Sequence, residues 1–235
     1  MSMEIIADIG QNHNGDVEIA LELIRAAKEN GADVAKFQLY DAKALFPKTG
    51  NEWYDYNCRT EISRKQLERL VEECRRVDIE FMASVFDGQR IEWLEAVNVS
   101  RYKVASRSIN DRELIRAIGR TGKPMIVSLG MWKGSELPEI NTSASVHFLH
   151  CISHYPPQFE ELKLSQVDFD EIISGLSDHT IGITAALVAF SRGAEIVEKH
   201  FTLDKEMVGP DHCCSMTPDE LNTLNRYKVE IARCL

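Results

Sequence analysis

His179 and His200 each close a short apolar run, in GLSDH and EIVEKH, and each is followed by residues that break the pattern. Lys36 and Lys103 stand inside two further runs of this kind, DVAKFQLY and RYKVAS. A lysine within an apolar strand is costly unless its ammonium finds a partner, so two of them imply a common polar mouth and an anionic substrate. Two neutral imidazoles at neighbouring strand ends leave coordination positions open. That suits a catalytic divalent metal completed by water and substrate oxygens, whereas a closed structural site needs four protein ligands. The residues alone equally allow two hydrogen-bonded histidines and two lysines paired to carboxylates. Ser84, Ser106 and Ser177 occupy strand ends too, where a hydroxyl either binds a phosphate oxygen or caps the next helix.

These residues need a scaffold that brings distant strand ends together. Eight β-type runs recur along the chain: 4–10, 33–40, 80–86, 101–106, 124–130, 145–151, 172–179 and 195–202. The segments between them have helical period. In VEIALELIRAAKENGA the residues Ile19, Leu23, Ala26 and Ala27 share a face, and in RKQLERLVEECRRV Leu67, Leu70, Val71 and Cys74 do. Asp16, Asn110 and Asp219 stand near helix starts, and Gly31 and Gly122 near stops. The fifth crossover, WKGSELPEINTSA, carries Pro138 and little periodicity, which predicts a short, irregular or absent helix. Alternation of this kind requires parallel strands with right-handed crossovers, and eight repeats predict a closed (β/α)8 barrel, one α/β domain over 1–235. GQNHNG after the first strand is not the glycine-rich phosphate loop of an open doubly wound sheet. In such a barrel the C-terminal strand ends build the site, which adds Asp8, Gln38 and Ser153 to the candidates, with Gln11, Ser128 and Glu198 among the other polar residues at the mouth.

At 235 residues, 44% hydrophobic and 27% charged, the composition is that of a soluble globular protein. A net charge of −10 disfavours non-specific attraction to nucleic acid or anionic membranes, so any anion site is local. There is no apolar run of roughly 18 residues and no secretory pattern at MSMEIIADIG, which predicts a cytoplasmic protein. Six scattered cysteines lack CxxC spacing and are expected as reduced thiols, the adjacent Cys213 and Cys214 included.

The segments IADIGQNHNGD, GADVAKFQ, YKVAS, GKPMIVSLGM, LHCISHYP, GLSDHTIG, EKHFTLD and GPDHCCSM together resemble the sialic acid synthase family, over residues 5–233. The resemblance implies a barrel enzyme that condenses phosphoenolpyruvate with an N-acylated amino-sugar aldehyde, releases phosphate and makes a sialic acid-like nonulosonic acid. It assigns His179 and His200 to a divalent metal, Mn2+ by preference and Mg2+ as the alternative. It assigns Lys36, Ser84, Lys103, Ser106 and Ser177 to the phosphate and carboxylate of phosphoenolpyruvate, and Tyr155 and Asp211 to the sugar. The pattern departs at three positions: Asp8 stands where the family carries a glutamate thought to orient or deprotonate water, Ser153 replaces an asparagine, and Ser108 a glutamate. The family's antifreeze-like C-terminal domain has no counterpart in these 235 residues, so a separate antifreeze-like protein is one expected partner and a homo-oligomer another. A metal-dependent barrel lyase or aldolase, or a non-catalytic partner subunit, is the competing expectation.

Overall fold

The computed structural model describes residues 3–169 and 172–235. Eight parallel strands close into a barrel in chain order: β1 (Glu4–Gly10), β2 (Val34–Leu39), β3 (Glu80–Val85), β4 (Tyr102–Val104), β5 (Met125–Ser128), β6 (Val146–Cys151), β7 (Ile173–Asp178) and β8 (Ile196–His200). All eight predicted runs are strands, and β8 pairs with β1 from Glu4↔Ile196 to Asp8↔His200, which completes the ring.

Because side chains alternate along a strand, every second residue enters the barrel. These inward positions form layers. Nearest the strand starts, Arg101 bridges Glu4 at 2.5 Å and Glu80 at 2.8 Å. Above it Ile6, Val34, Met82, Ile126, Leu149 and Ile196 make a closed apolar layer. The next inward residues are Asp8, Lys36, Ser84, Lys103, Ser128, Ser177 and Glu198, all buried. The apolar layer therefore floors a polar one at the C-terminal end of the barrel.

Outward residues of the strands pack against the helices α1 (Val17–Glu29), α2 (Ala42–Leu45), α3 (Tyr54–Arg59), α4 (Arg64–Val77), α5 (Gly88–Ala96), α6 (Arg112–Gly119), α7 (Thr184–Ser191) and α8 (Pro218–Cys234). Helix α4 buries the predicted face, Leu67, Leu70, Val71 and Cys74. On α1 the buried residues are Ala20, Leu21, Leu23, Ile24 and Ala27, so Ile19 and Ala26 lie at the margin of the face. Asp16 caps α1 as predicted, whereas Asp111 and Thr217 cap α6 and α8 in place of Asn110 and Asp219. Each true cap is the residue whose side-chain oxygen reaches a free amide of the first turn.

The fifth crossover has no helix, as its composition predicts. The sixth departs from the expected alternation: Pro156 and Pro157 remove donors, and only the 3-10 turns Phe159–Leu162 and Leu164–Gln166 form in its described part. Gly175 is required by close approach, since a Cβ there would lie 1.8 Å from the Ile196 carbonyl oxygen. All six cysteines are free thiols, with Cys213 exposed and Cys214 buried. No helix among the described residues is long and apolar enough to cross a membrane.

Candidate active site

A cavity of about 350 Å³ opens at the C-terminal end of the barrel. Asp8, Lys36, Gln38, Ser84, Lys103, Ser106, Ser153, Tyr155, Ser177, His179, His200 and Asp211, the residues selected from the sequence, all line it. Alternation puts Lys36 and Gln38 on one inward face of β2, and Glu198 and His200 on that of β8.

The ionised groups at the cavity floor are matched. Lys36 Nζ lies 2.8 Å from Asp8 Oδ2 and 3.8 Å from Glu198 Oε1, and Lys103 Nζ lies 3.4 Å from that same Glu198 oxygen. Lys103 also donates to Ser128 Oγ at 2.7 Å and Lys36 to Ser84 Oγ at 3.4 Å. Burial alone would raise the Asp8 pKa, but the neighbouring charges of Lys36 and His200 outweigh it and hold the carboxyl below its ordinary value. Burial pushes Lys36 down and its two carboxylates more than restore it, so it stays firmly charged. Burial dominates at Lys103, whose pKa is lowered despite Glu198. Two carboxylate oxygens, Asp8 Oδ1 and Glu198 Oε2, are buried without a hydrogen-bond partner.

At the rim the imidazoles of His179 and His200 stand side by side, centroids 5.5 Å apart. His179 Nδ1 is 3.0 Å from the Ile152 carbonyl oxygen, a contact that places the proton on Nδ1 and leaves the Nε2 lone pair free. His200 Nδ1 has no hydrogen-bond partner and lies 3.4 Å from Asp8 Oδ2. Tyr155 leans over both rings, its centroid 4.2 Å from His179 and 6.0 Å from His200. Among the described residues no group of three or more His, Cys, Asp or Glu side chains is arranged to hold a metal ion. The donors present amount to an open pair of nitrogens beside an unpartnered carboxylate oxygen, a set that fits a divalent ion with its remaining positions filled by water and substrate.

Several lining residues lay outside the sequence selection. Glu198 was visible as a polar strand-end residue, and its place two positions before His200 puts it on the same inward face. Arg107, in the 3-10 turn Ser106–Ser108, gave no periodic signal. Its guanidinium lies over Phe46 at 4.9 Å and Phe86 at 6.0 Å, and among the described residues it has no carboxylate partner. Cys151 also lines the cavity: burial raises its pKa, but contact with His179 brings the thiol down to about 7. Ser108 is buried and contributes nothing to the lining.

The NeuB family model matches residues 23–235 of the chain. The N,N'-diacetyllegionaminic acid synthase of Legionella pneumophila is 36% identical over 251 residues, covering 95% of this chain and 70% of its own. The human N-acetylneuraminate-9-phosphate synthase is 35% identical over 253 residues, covering 98% of this chain and 70% of its own. The crystal structure of N-acetylneuraminic acid (sialic acid) synthetase from Leptospira borgpetersenii, in complex with citrate, superposes with a TM-score of 0.92 at 32% identity, covering 100% of this chain and 85% of that one.

Proposed function

The chain belongs to the NeuB family, and from that premise we propose that it is a synthase that joins phosphoenolpyruvate to an N-acylated amino-sugar aldehyde and releases phosphate to form a nonulosonic acid. The observation that carries this reading is the convergence on one cavity of two buried lysines, hydroxyls from five strand ends and an adjacent pair of imidazoles.

In this reading Lys36 and Lys103 receive the phosphate and carboxylate oxygens of phosphoenolpyruvate, and Ser84, Ser106, Ser128, Ser153 and Ser177 complete the hydrogen bonds. His179 and His200 would hold a divalent ion, manganese by preference, which when bound would supply Lewis-acid polarisation of the acceptor's aldehyde oxygen. Tyr155, Asp211, Gln38 and Arg107 surround the acceptor at the mouth. The methylene carbon of phosphoenolpyruvate attacks the aldehyde carbon, forming the carbon-carbon bond, and the aldehyde oxygen takes up a proton. Positive charge then develops at the phosphate-bearing carbon, beside the carboxylates of Asp8 and Glu198, whose fixed charge favours it. A water donating to Asp8 Oδ1 adds there; one of its protons balances the proton taken up by the aldehyde oxygen, and the other, on the new hydroxyl, leaves with the departing phosphate. Cleavage of the bond between that carbon and the phosphate oxygen yields the keto acid and inorganic phosphate. Asp8, held ionised by Lys36, acts as the water's acceptor rather than as an acid.

The chain is read as a cytoplasmic enzyme, a compartment in which its thiols would stay reduced. The test is phosphate release from phosphoenolpyruvate with manganese and a panel of N-acylated aminohexoses, with unacylated hexoses and pentoses as controls. Release confined to the N-acylated panel is the expected result, and no release with any aldose refutes the synthase reading.

A further inference from the structure

Among the described residues, a fully buried ion pair lies outside the cavity. Lys199 Nζ and Asp178 Oδ2 are 3.0 Å apart, and both side chains are 0% exposed. They alternate with the inward residues Ser177, Glu198 and His200, so they lie on the outer face of the barrel wall, behind the imidazoles. A well-packed apolar pair of similar volume is commonly as stable as a buried ion pair or more so, and stability alone does not account for it.

The strand register supplies the missing reason. The β7–β8 ladder runs from Gly175↔Ile196 to Asp178↔Lys199 and stops. Beyond that rung β8 stays paired with β1, Asp8↔His200, and Phe201 N–H donates to the Asp8 carbonyl at 2.9 Å. His200 is therefore held by a backbone ladder, and His179 follows the end of one. Side chains take over at this point. Asp178 Oδ1 accepts from the Thr180 amide at 2.8 Å and from the Thr180 hydroxyl at 2.7 Å. Lys199 Nζ donates to the Thr180 carbonyl at 2.5 Å as well as to Asp178. His179 thus lies between two residues that Lys199 ties to β8, and Thr180 is itself buried.

We propose that Asp178 and Lys199 are positioning residues that clamp the 178–180 turn onto β8 and so set the His179 imidazole against that of His200. The inference rests on the reading of the two histidines as a metal pair. Losing outer groups that orient a metal-ligating histidine typically costs about 10–100-fold in metal affinity, and that range is expected here.

The full chain is compared as wild type, Lys199→Met and the double variant Asp178→Leu/Lys199→Met, the last because it removes the pair without burying a lone charge. Amide exchange is followed at residues 179–181 without metal, and Mn2+ affinity by equilibrium dialysis, also in a His179→Ala background. Both variants are expected to exchange at least about tenfold faster in this turn and to bind Mn2+ about 10–100-fold more weakly, with the double variant keeping wild-type exchange in β1–β3. In the His179→Ala background the clamp substitutions are expected to add less than about twofold, because coupled residues are not additive. Unchanged exchange in the turn overturns the clamp whether or not metal binds. Faster exchange with wild-type Mn2+ affinity, or losses that add independently of His179, overturns the positioning role. Wild-type protein that binds no Mn2+ refutes the metal pair itself, and with it the purpose assigned to the clamp.

Discussion

Replacing Lys36 with methionine removes the cation from between two buried carboxylates while keeping most of the side-chain volume. Lys36 is 2.8 Å from Asp8 Oδ2 and 3.8 Å from Glu198 Oε1, with a side chain only 2% exposed. Breaking a buried pair by removing one partner costs about 3–5 kcal/mol. Lys103 still faces Glu198 at 3.4 Å, which places the expected loss near the lower bound. For a chain of 235 residues a loss of about 3 kcal/mol lowers Tm by roughly 6–12 °C.

The pH dependence separates this account from a simple packing defect. In the wild type Asp8 is held below its unfolded value, so its contribution is present above that value, about 3.9, and is lost as pH falls through the lower folded value. In Lys36→Met burial persists and the largest opposing charge is gone, so Asp8 moves above its unfolded value. The variant then gains stability relative to wild type as pH falls and loses it as pH rises. Thermal melts at pH 4, 5.5 and 7 are expected to show a Tm gap that is smallest at pH 4, where Asp8 is about half protonated in the unfolded chain, and that widens as pH rises through the variant's folded value before levelling off. Calorimetric titration with phosphoenolpyruvate is expected to show about a 10²-fold weaker affinity, the scale of one lost charge-assisted contact. A gap of constant size across that range, or unchanged phosphoenolpyruvate affinity, refutes the reasoning.

Asp8→Asn is expected to lower kcat about 10²-fold in steady-state phosphate release with phosphoenolpyruvate affinity within a few-fold, because it removes an acceptor for the attacking water and leaves the lysines in place. Asp8→Glu is expected to retain most of the activity. Arg107→Ala is expected to raise the acceptor KM about tenfold with kcat within about threefold, as loss of a contact made equally in ground and transition states does. Gly175→Ala is expected to yield mostly insoluble protein, since a Cβ 1.8 Å from the Ile196 carbonyl parts β7 from β8; a soluble variant melting within about 5 °C of wild type rules that out.

The strands were legible because polar inward residues recur at a period of two between outward residues that are mostly apolar. Hence EIVEKH both announces β8 and aims Glu198 and His200 into the same cavity. The helices α2 and α3 in the loop after β2 were not legible, being four and six residues long. The sixth crossover was read as helical only by extension from its neighbours, and its prolines decided otherwise. Arg107 escaped notice because a 3-10 turn after a three-residue strand has no period to read. Asp178 was visible as a polar strand-end residue, whereas its pairing with Lys199 was not, because only the register of β7 on β8 sets the two side by side in the buried wall.

That both lysines at the cavity floor already have carboxylate partners bears on how an anion would enter. A trianionic substrate gains little from a cation whose charge is already spent on a neighbour unless that neighbour has somewhere else to turn. Asp8 has His200 Nδ1 at 3.4 Å, and Glu198 has the Ser177 hydroxyl at 3.3 Å. Each carboxylate also keeps one oxygen unpartnered and buried, so it enters any new arrangement with acceptor capacity in hand. Lys36 and Lys103 thus stand against carboxylates that a substrate's phosphate and carboxylate could displace toward the imidazole and the serine. The buried lysines then avoid the desolvation cost of standing alone before binding. On this view the carboxylates on β1 and β8 would hold the lysines in place without contacting the anion themselves, a role that suits the inward face Glu198 shares with His200.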